Sequence, residues 1–231
     1  LGRLGEVPAS AWIRRFDLCL LAGLRADAET ALSALEARLG ALPEADRLAT
    51  RVRRARFQVD RGDAAAARAG AEQALGEAMA VGDPRLLSDL CWVLGRADEV
   101  YGDLERAIAS FELAAAHAEK AGDARLEARA WLGASLSAVF LGRAGQAGGY
   151  AERALRASRA ARDPVAMSES LRCLGNSARE VGDIPRALKV YRQAVRAARD
   201  GGSPESEAKA LNNLGTVCHW AGHIPEAVAA L

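Results

Sequence analysis

The chain has 231 residues, of which 50% are hydrophobic and 26% charged, and its formal net charge is +1. It is too apolar for a disordered segment, and nothing in its charge points to nucleic acid or an anionic membrane as partner. Alanine dominates the apolar part and aromatics make up only 5%, which favours closely packed helices because alanine is the best helix former.

Gly2, Gly5 and Pro8 predict a loose start. Ser10 is the expected cap of a first helix carrying Trp12, Ile13, Phe16, Leu20 and Leu21 in a helical stripe, and Gly23 ends it. A second helix is expected over 26–39, with Ala28, Leu32, Leu35 and Leu39 on one face, before Leu42-Pro43 breaks the chain. Helix pairs then follow regularly: 44–61 with 64–80, 84–101 with 104–121, 124–141 with 144–161 and 164–181 with 184–200. A last pair starts at 204–221 and is cut at Leu231.

The spacing is what organises the chain. Glycine opens the inner turn at 62, 102, 142, 182 and 222, in steps of 40. A second turn runs half a period away, at Gly82-Asp83-Pro84, Gly122-Asp123, Arg162-Asp163-Pro164 and Gly202-Ser203-Pro204. Asp or Ser before Pro is a strong helix start, with a side-chain cap and a proline at the first helical position. A period of this length marks stacked repeats. The units run approximately 9–41, 44–82, 84–122, 124–162, 164–202 and 204–231. A leucine at the start and a cut last unit lead us to expect a piece of a longer protein.

Aligned by unit, small residues recur where the two helices of a pair must approach: Ala67, Ala107, Ala147, Ala187 and Ala227, and Ala74, Ala114, Ala154 and Ala194. Another column reads Gly95, Ser135, Gly175 and Gly215, and a filling column reads Ala71, Phe111, Ala151, Tyr191 and Leu231. This order of Leu-Gly, Gly-Asp, Ala, large residue and Ala resembles the tetratricopeptide repeat, with Trp12 and Trp131 where that family often carries tryptophan. The resemblance covers nearly the whole chain and is strongest from residue 84 onward. The 40-residue period departs from the family's usual 34 and looks like the longer-helix variety of bacterial regulatory and signalling proteins. It implies an all-α, right-handed superhelical solenoid of antiparallel helix pairs. Gly142, Gly145, Gly148 and Gly149 crowd one helix start, where a late start, a bend or plain sequence drift are all open.

No catalytic constellation is present. Gly145-Gln146-Ala147-Gly148-Gly149 lacks a lysine and follows no strand, so it is no phosphate loop. His219 and His223 share a helix face, but no further ligand completes a zinc set. Cys19, Cys91, Cys173 and Cys218 form no paired motif and read as small apolar side chains in a reducing compartment. No cofactor is expected, no apolar run is long enough for a membrane span, and the expected location is the cytoplasm.

The resemblance instead places a ligand on the first helix of each unit, along the concave wall. The positions transferred include Val52, Arg53, Arg56 and Val59, then Asp89, Trp92, Val93, Arg96 and Glu99. They continue with Leu132, Leu136, Val139 and Phe140, then Arg172, Asn176 and Arg179, and finally Asn212, Asn213, Thr216, His219 and Trp220. Trp92, Leu132, Leu136 and Phe140 would make an apolar centre. Arg172, Asn176, Arg179, Asn212 and Asn213 would pair a carboxylate and bond a peptide backbone. Against this, Arg172 has Glu169 three residues away and Arg179 has Glu180 beside it, and Trp92 and Phe140 would also serve as packing between units. The expected ligand is a protein or peptide with an acidic end and an apolar centre. Two readings stay open: a non-catalytic peptide-binding scaffold, or a sensory segment of a larger bacterial regulator that binds a small effector or self-associates.

Overall fold

A computed structural model describes residues 7–223, 225 and 227. Among them there are eleven α-helices and no strand: α1 (Ala9–Leu21), α2 (Arg25–Glu36), α3 (Glu44–Asp60), α4 (Ala64–Val81), α5 (Pro84–Val100), α6 (Leu104–Lys120), α7 (Ala124–Phe140), α8 (Ala144–Ala160), α9 (Pro164–Glu180), α10 (Ile184–Asp200) and α11 (Pro204–Trp220). A 3-10 turn at Leu39–Ala41 separates α2 from α3.

The turn chemistry explains the even spacing. Glycines 62, 102, 142, 182 and 222 take positive φ, which reverses the chain without a Cβ clash. The following Asp63, Asp103 and Asp183 each accept a hydrogen bond from a backbone N–H in the first turn of the next helix. Asp83, Asp123, Asp163 and Ser203 do the same at the outer turns. One outer turn carries no glycine: Arg162 sits at φ 52, a conformation that costs an L-residue roughly 1 kcal/mol.

Two expectations are corrected, and a third point left open is decided. Ser10 is not the cap: α1 begins at Ala9 behind Pro8, whose extended backbone (φ −66, ψ 150) already sets the helix entrance. α2 ends at Glu36, three residues early, because Leu42 must be extended (ψ 148) ahead of Pro43. α8 begins at Ala144 in step with the other second helices, despite its glycines. Gly148 there has a packing role: a Cβ would lie 2.7 Å from the Ser177 hydroxyl oxygen, which donates 2.6 Å to the Ala144 carbonyl of α8.

The core lies between the two helices of each pair and between successive pairs. Ala67, Ala107, Ala147 and Ala187 are fully buried, as are Ala74, Ala114, Ala154 and Ala194. The filling column answers the glycine column unit by unit. A Cβ at Gly95 would lie 2.8 Å from the Phe111 ring, one at Gly133 2.7 Å from the same ring, and one at Gly175 2.5 Å from the Tyr191 ring. Where the filler is Ala151, the glycine is replaced by Ser135, whose hydroxyl donates 3.0 Å to the Ala147 carbonyl. Ring with glycine and alanine with serine are thus two ways to fill one site at close-packed density.

First helices touch each other across units: α3 with α5, α5 with α7, α7 with α9 and α9 with α11. No comparable contact among the described residues joins α4 to α6, α6 to α8 or α8 to α10. First helices therefore form the inner wall of the stack, and second helices fan out behind it.

Candidate functional site

The inner wall holds a cavity of about 890 Å3, bounded by α1, α3, α5, α7 and α9. Its lining comes mainly from the N-terminal halves of the first helices. Ile13, Leu86, Leu126, Leu132, Val165 and Ala166 supply apolar surface; arginines and carboxylates supply the rest.

Most of those charges are engaged. Arg53 of α3 grips Asp17 of α1 with both ends of its fork, at 3.1 and 2.6 Å. Arg129 of α7 donates 2.5 Å to Asp89 of α5, and its guanidinium lies 4.4 Å over the Trp92 ring. Burial alone would raise the Asp89 carboxyl; the charge and hydrogen bond of Arg129, with the charge of Arg56, outweigh it and hold Asp89 below its ordinary range. Arg85 lies 3.3 Å from Asp123.

Arg56 lines the cavity and, like Arg125 there, makes no ion pair among the described residues; its Nε, like that of Arg129, is buried without a hydrogen-bond partner, and Asp89, Asp60 and Asp17 act on it through charge alone. Burial first, and then the like charge of Arg129, lower its affinity for its proton. Nearby, burial raises the Asp60 carboxyl against the pull of Arg56.

The wall changes character towards α9 and α11. The Tyr191 hydroxyl donates 2.7 Å to Asn176 Oδ1, and Asn213 Nδ2 donates to the same oxygen at 3.1 Å. Burial pushes the Tyr191 phenol up to about 12. Arg179 donates 2.6 Å to Glu180 and lies 5.6 Å from the Trp220 ring centre. Arg172 forms no ion pair with Glu169 among the described residues. The Nε atoms of Arg172 and Arg179 are both buried without a partner. Such guanidinium groups keep unused donors for a carboxylate or a peptide carbonyl.

The remaining wall positions are scattered in role. Leu132 is buried at the cavity wall, and Leu136 packs half-buried against the core. Trp92 is roofed by Arg129 and packs between units, so it does not join Phe140 in one apolar surface; Phe140 is 73% exposed and Trp220 59%. Arg96 pairs with Glu99 on its own helix, and Glu99 also accepts 2.7 Å from Ser137 of α7. The Thr216 hydroxyl turns back to the Asn212 carbonyl at 2.9 Å, and Asn212 is exposed.

Asp89 was among the transferred positions but Arg129, and so the bridge between them, was not, although its signal is readable. Positions 49, 89, 129, 169 and 209 form one column reading Ala, Asp, Arg, Glu, Lys, in which opposite charges alternate; among the described residues Asp89 and Arg129 are its one ion pair. His219 is exposed, and no group of three metal-binding side chains gathers among the described residues. Cys91, Cys173 and Cys218 are buried and Cys19 is partly so, all as free thiols. Burial pushes the Cys91 and Cys173 thiols up to about 11. No helix among the described residues is long and apolar enough to cross a membrane.

No family model matches the chain, and no curated protein matches it. Solved structures do. BtubC from P. vanneervenii is 19% identical with a TM-score of 0.69, over 98% of this chain and 89% of that one. A Rap protein complexed with competence and sporulation factor is 13% identical with a TM-score of 0.75, over 96% of this chain and 62% of that one. A STAND signal-transduction ATPase with a tetratricopeptide-repeat sensor, from Pyrococcus horikoshii, is 14% identical with a TM-score of 0.75, over 93% of this chain and 33% of that one. Helix pairing, turn spacing and these likenesses agree: the chain folds as a tetratricopeptide-type helical solenoid.

Proposed function

We propose that the chain is a non-catalytic interaction module that holds a peptide segment along its inner wall. The observation that carries this reading is the α9–α11 surface. There Arg172 and Arg179 keep buried, unused Nε donors beside the amides of Asn176 and Asn213. Guanidinium groups take a carboxylate, and a side-chain amide bonds a peptide backbone through both its ends. The exposed Trp220 ring offers apolar surface at the same end of the wall. Leu132 and Leu136 stand further up it, and Trp92, Arg96, Phe140, Asn212 and Thr216 flank the path. The ligand is a peptide with an acidic end and an apolar centre.

Panning random displayed peptides on the chain, beside an Arg172→Glu/Arg179→Glu variant, tests this. Peptides held by the parent should be lost by the variant at unchanged helical circular dichroism. Peptides retained equally by both would move the site off this part of the wall.

A second reading is favoured by the cavity between α1 and α9: a sensory segment of a larger regulator, responding to a small effector. A Rap protein bound to a signalling factor and a STAND sensor share the fold. Reading the native gene past Leu231 separates the two. A catalytic or DNA-binding domain supports the sensor, and further repeats followed by a stop support the adaptor.

A further inference from the structure

We infer that the inner-turn edge of the stack, from α5 to α11, is a dimerisation surface on which a second copy of this chain docks antiparallel. The inference is independent of the peptide reading, whose arginines and asparagines lie on the wall itself. Only Trp220 borders both surfaces.

The edge carries a row of apolar side chains. Val100, Phe140 and Trp220 are the last residues of α5, α7 and α11, and Tyr101 and Val181 follow α5 and α9 as caps. Each of the five is more than half exposed, and they make up half of the large apolar side chains that the described residues expose. Arg68 lies 4.8 Å over the Tyr101 ring and still leaves it open to solvent. Helix ends do not need this bulk. At the outer turns, α6, α8 and α10 close on Lys120-Ala121, Ala160-Ala161 and Asp200-Gly201. The row also has a defined start, because α3 closes on Asp60-Arg61, and Arg61 is bound to Glu29 of α2. The five side chains offer on the order of 500 Å2 of apolar surface before the rim is counted, and a partner in a stable complex buries about 800 Å2 in all.

Spacing and charge identify the occupant as a second copy. Successive first helices touch, so the rungs of the row stand about 8–10 Å apart. A copy turned end for end presents the same rungs at the same step, which is the self-complementarity that a two-fold interface requires. The residue after each turn glycine then selects the register: the column reads Asp103, Arg143, Asp183 and His223. Arg143 is half-exposed beside Glu105, and Asp183 makes no ion pair among the described residues. Any arrangement that sets a turn against its own copy opposes Arg143 to Arg143 or Asp183 to Asp183. An axis between the turns at 102 and 142 opposes Asp63 to Asp183 and brings Arg61 onto the apolar row. An axis between the turns at 142 and 182 opposes Arg143 to Asp183 twice and Asp103 to His223. It also lays Phe140 on Val181, and Val100 and Tyr101 on Trp220. Glu180, the one charge in the Phe140 column from α5 onward, is already drawn to Arg179 on its own helix. Like charges opposed across an interface exclude the other registers, and opposite charges favour this one.

Sedimentation equilibrium of the intact chain without peptide, over about 1–200 μM, reads the dimer directly. The parent should pass from monomer to dimer within that range. Phe140→Ser, at a side chain exposed in the single chain, should stay monomeric at unchanged Tm. Arg143→Glu and Asp183→Lys each oppose like charges in their own dimers, so each alone should dimerise at least about tenfold more weakly. Mixed in equal amounts, the two variants restore both opposite-charge pairs, and the dimer should return. That recovery separates a broken interface from a damaged fold, which matters for Asp183→Lys because Asp183 caps α10. A parent that is monomeric throughout, a dimer that Phe140→Ser leaves intact, or a mixture that stays monomeric would overturn the proposal. Charge variants that dimerise as the parent does would also overturn it. A monomeric parent that binds phosphatidylcholine vesicles, and loses them with Phe140→Ser, would give the row to a lipid surface and overturn it likewise.

Discussion

The two ends of the inner wall are built from first helices in the same register, yet different partners tie those helices together. Between α1 and α7, carboxylates on neighbouring first helices lock Arg53 and Arg129 across units, and Arg56 sits in the field of Asp89 without an ion pair of its own among the described residues. Between α9 and α11, an amide–phenol network of Asn176, Tyr191 and Asn213 holds the wall, and Arg172 is left over. The packing columns behind the wall barely change, since alanine fills the same crossing in every unit. In a stacked array each unit need only match its neighbours. Packing positions are therefore constrained, while wall positions are free to become bridges or binding groups.

The comparison can be broken from the back. Phe111 is fully buried and fills the space at both Gly95 and Gly133. Phe111→Ala should cost about 3–5 kcal/mol, read as a loss of denaturation midpoint. Peptides selected on the α9–α11 surface should still bind at low temperature, because the damage lies two units away.

The α1–α7 half is tested by Asp89. Removing it sets Arg129 and Arg56 against each other without their shared carboxylate. Both partners of the bridge keep some exposure, at 16% and 20% of their side chains, so the cost of Asp89→Ala is about 2 kcal/mol rather than the full value for a buried pair. The acid limb of the stability curve should change with it. The folded Asp89 carboxyl lies below its ordinary value of 3.8, so its contribution is present above that pH and is lost as pH falls through the lower, folded value. An Asp89→Asn variant should show a flatter fall in stability in that window.

Tyr191→Phe probes the other half. It deletes the hydroxyl that reaches Asn176 and keeps the ring against Gly175, so it should cost about 1 kcal/mol. It also leaves Asn176 Oδ1 with Asn213 as its donor, so affinity for the selected peptides should change while the Asp89 acid limb stays as it was. The smallest effect belongs to neither half. Arg162→Gly relieves the one positive-φ turn without glycine among the described residues and should add about 0.5 kcal/mol, the strain relief being partly offset by glycine's greater freedom when unfolded.

Much of this was legible in the sequence, for a physical reason. Turns need glycine and a capping Asp at fixed places, so Gly62-Asp63 and its successors place most helix boundaries within a residue. Ser10 misled because α1 already begins at Ala9 behind Pro8, which puts Ser10 inside the first turn, while at the Gly145–Gly149 stretch the repeat register sets the helix start and Gly148 makes room for Ser177. The wall was legible only by column. Arg172 and Arg179 do lie on it with unused donors, but whether a wall arginine is spent depends on which neighbouring unit supplies a carboxylate. That information sits 40 residues away, at Asp89 for Arg129, or on another element, at Asp17 for Arg53. Trp92 falls in the column of an apolar patch, but Arg129, from the next unit, covers its ring.

The measurement closest to the central claim is a two-dimensional NMR titration of the chain with a peptide selected on it. The account predicts shifts at the side-chain amides of Asn176 and Asn213 and the indole of Trp220, with Trp131, stacked 5.7 Å from Tyr150 between α7 and α8, unmoved. Shifts confined to Trp131 and the second helices, with the Asn176, Asn213 and Trp220 signals unchanged, would place binding on the outer face and contradict it.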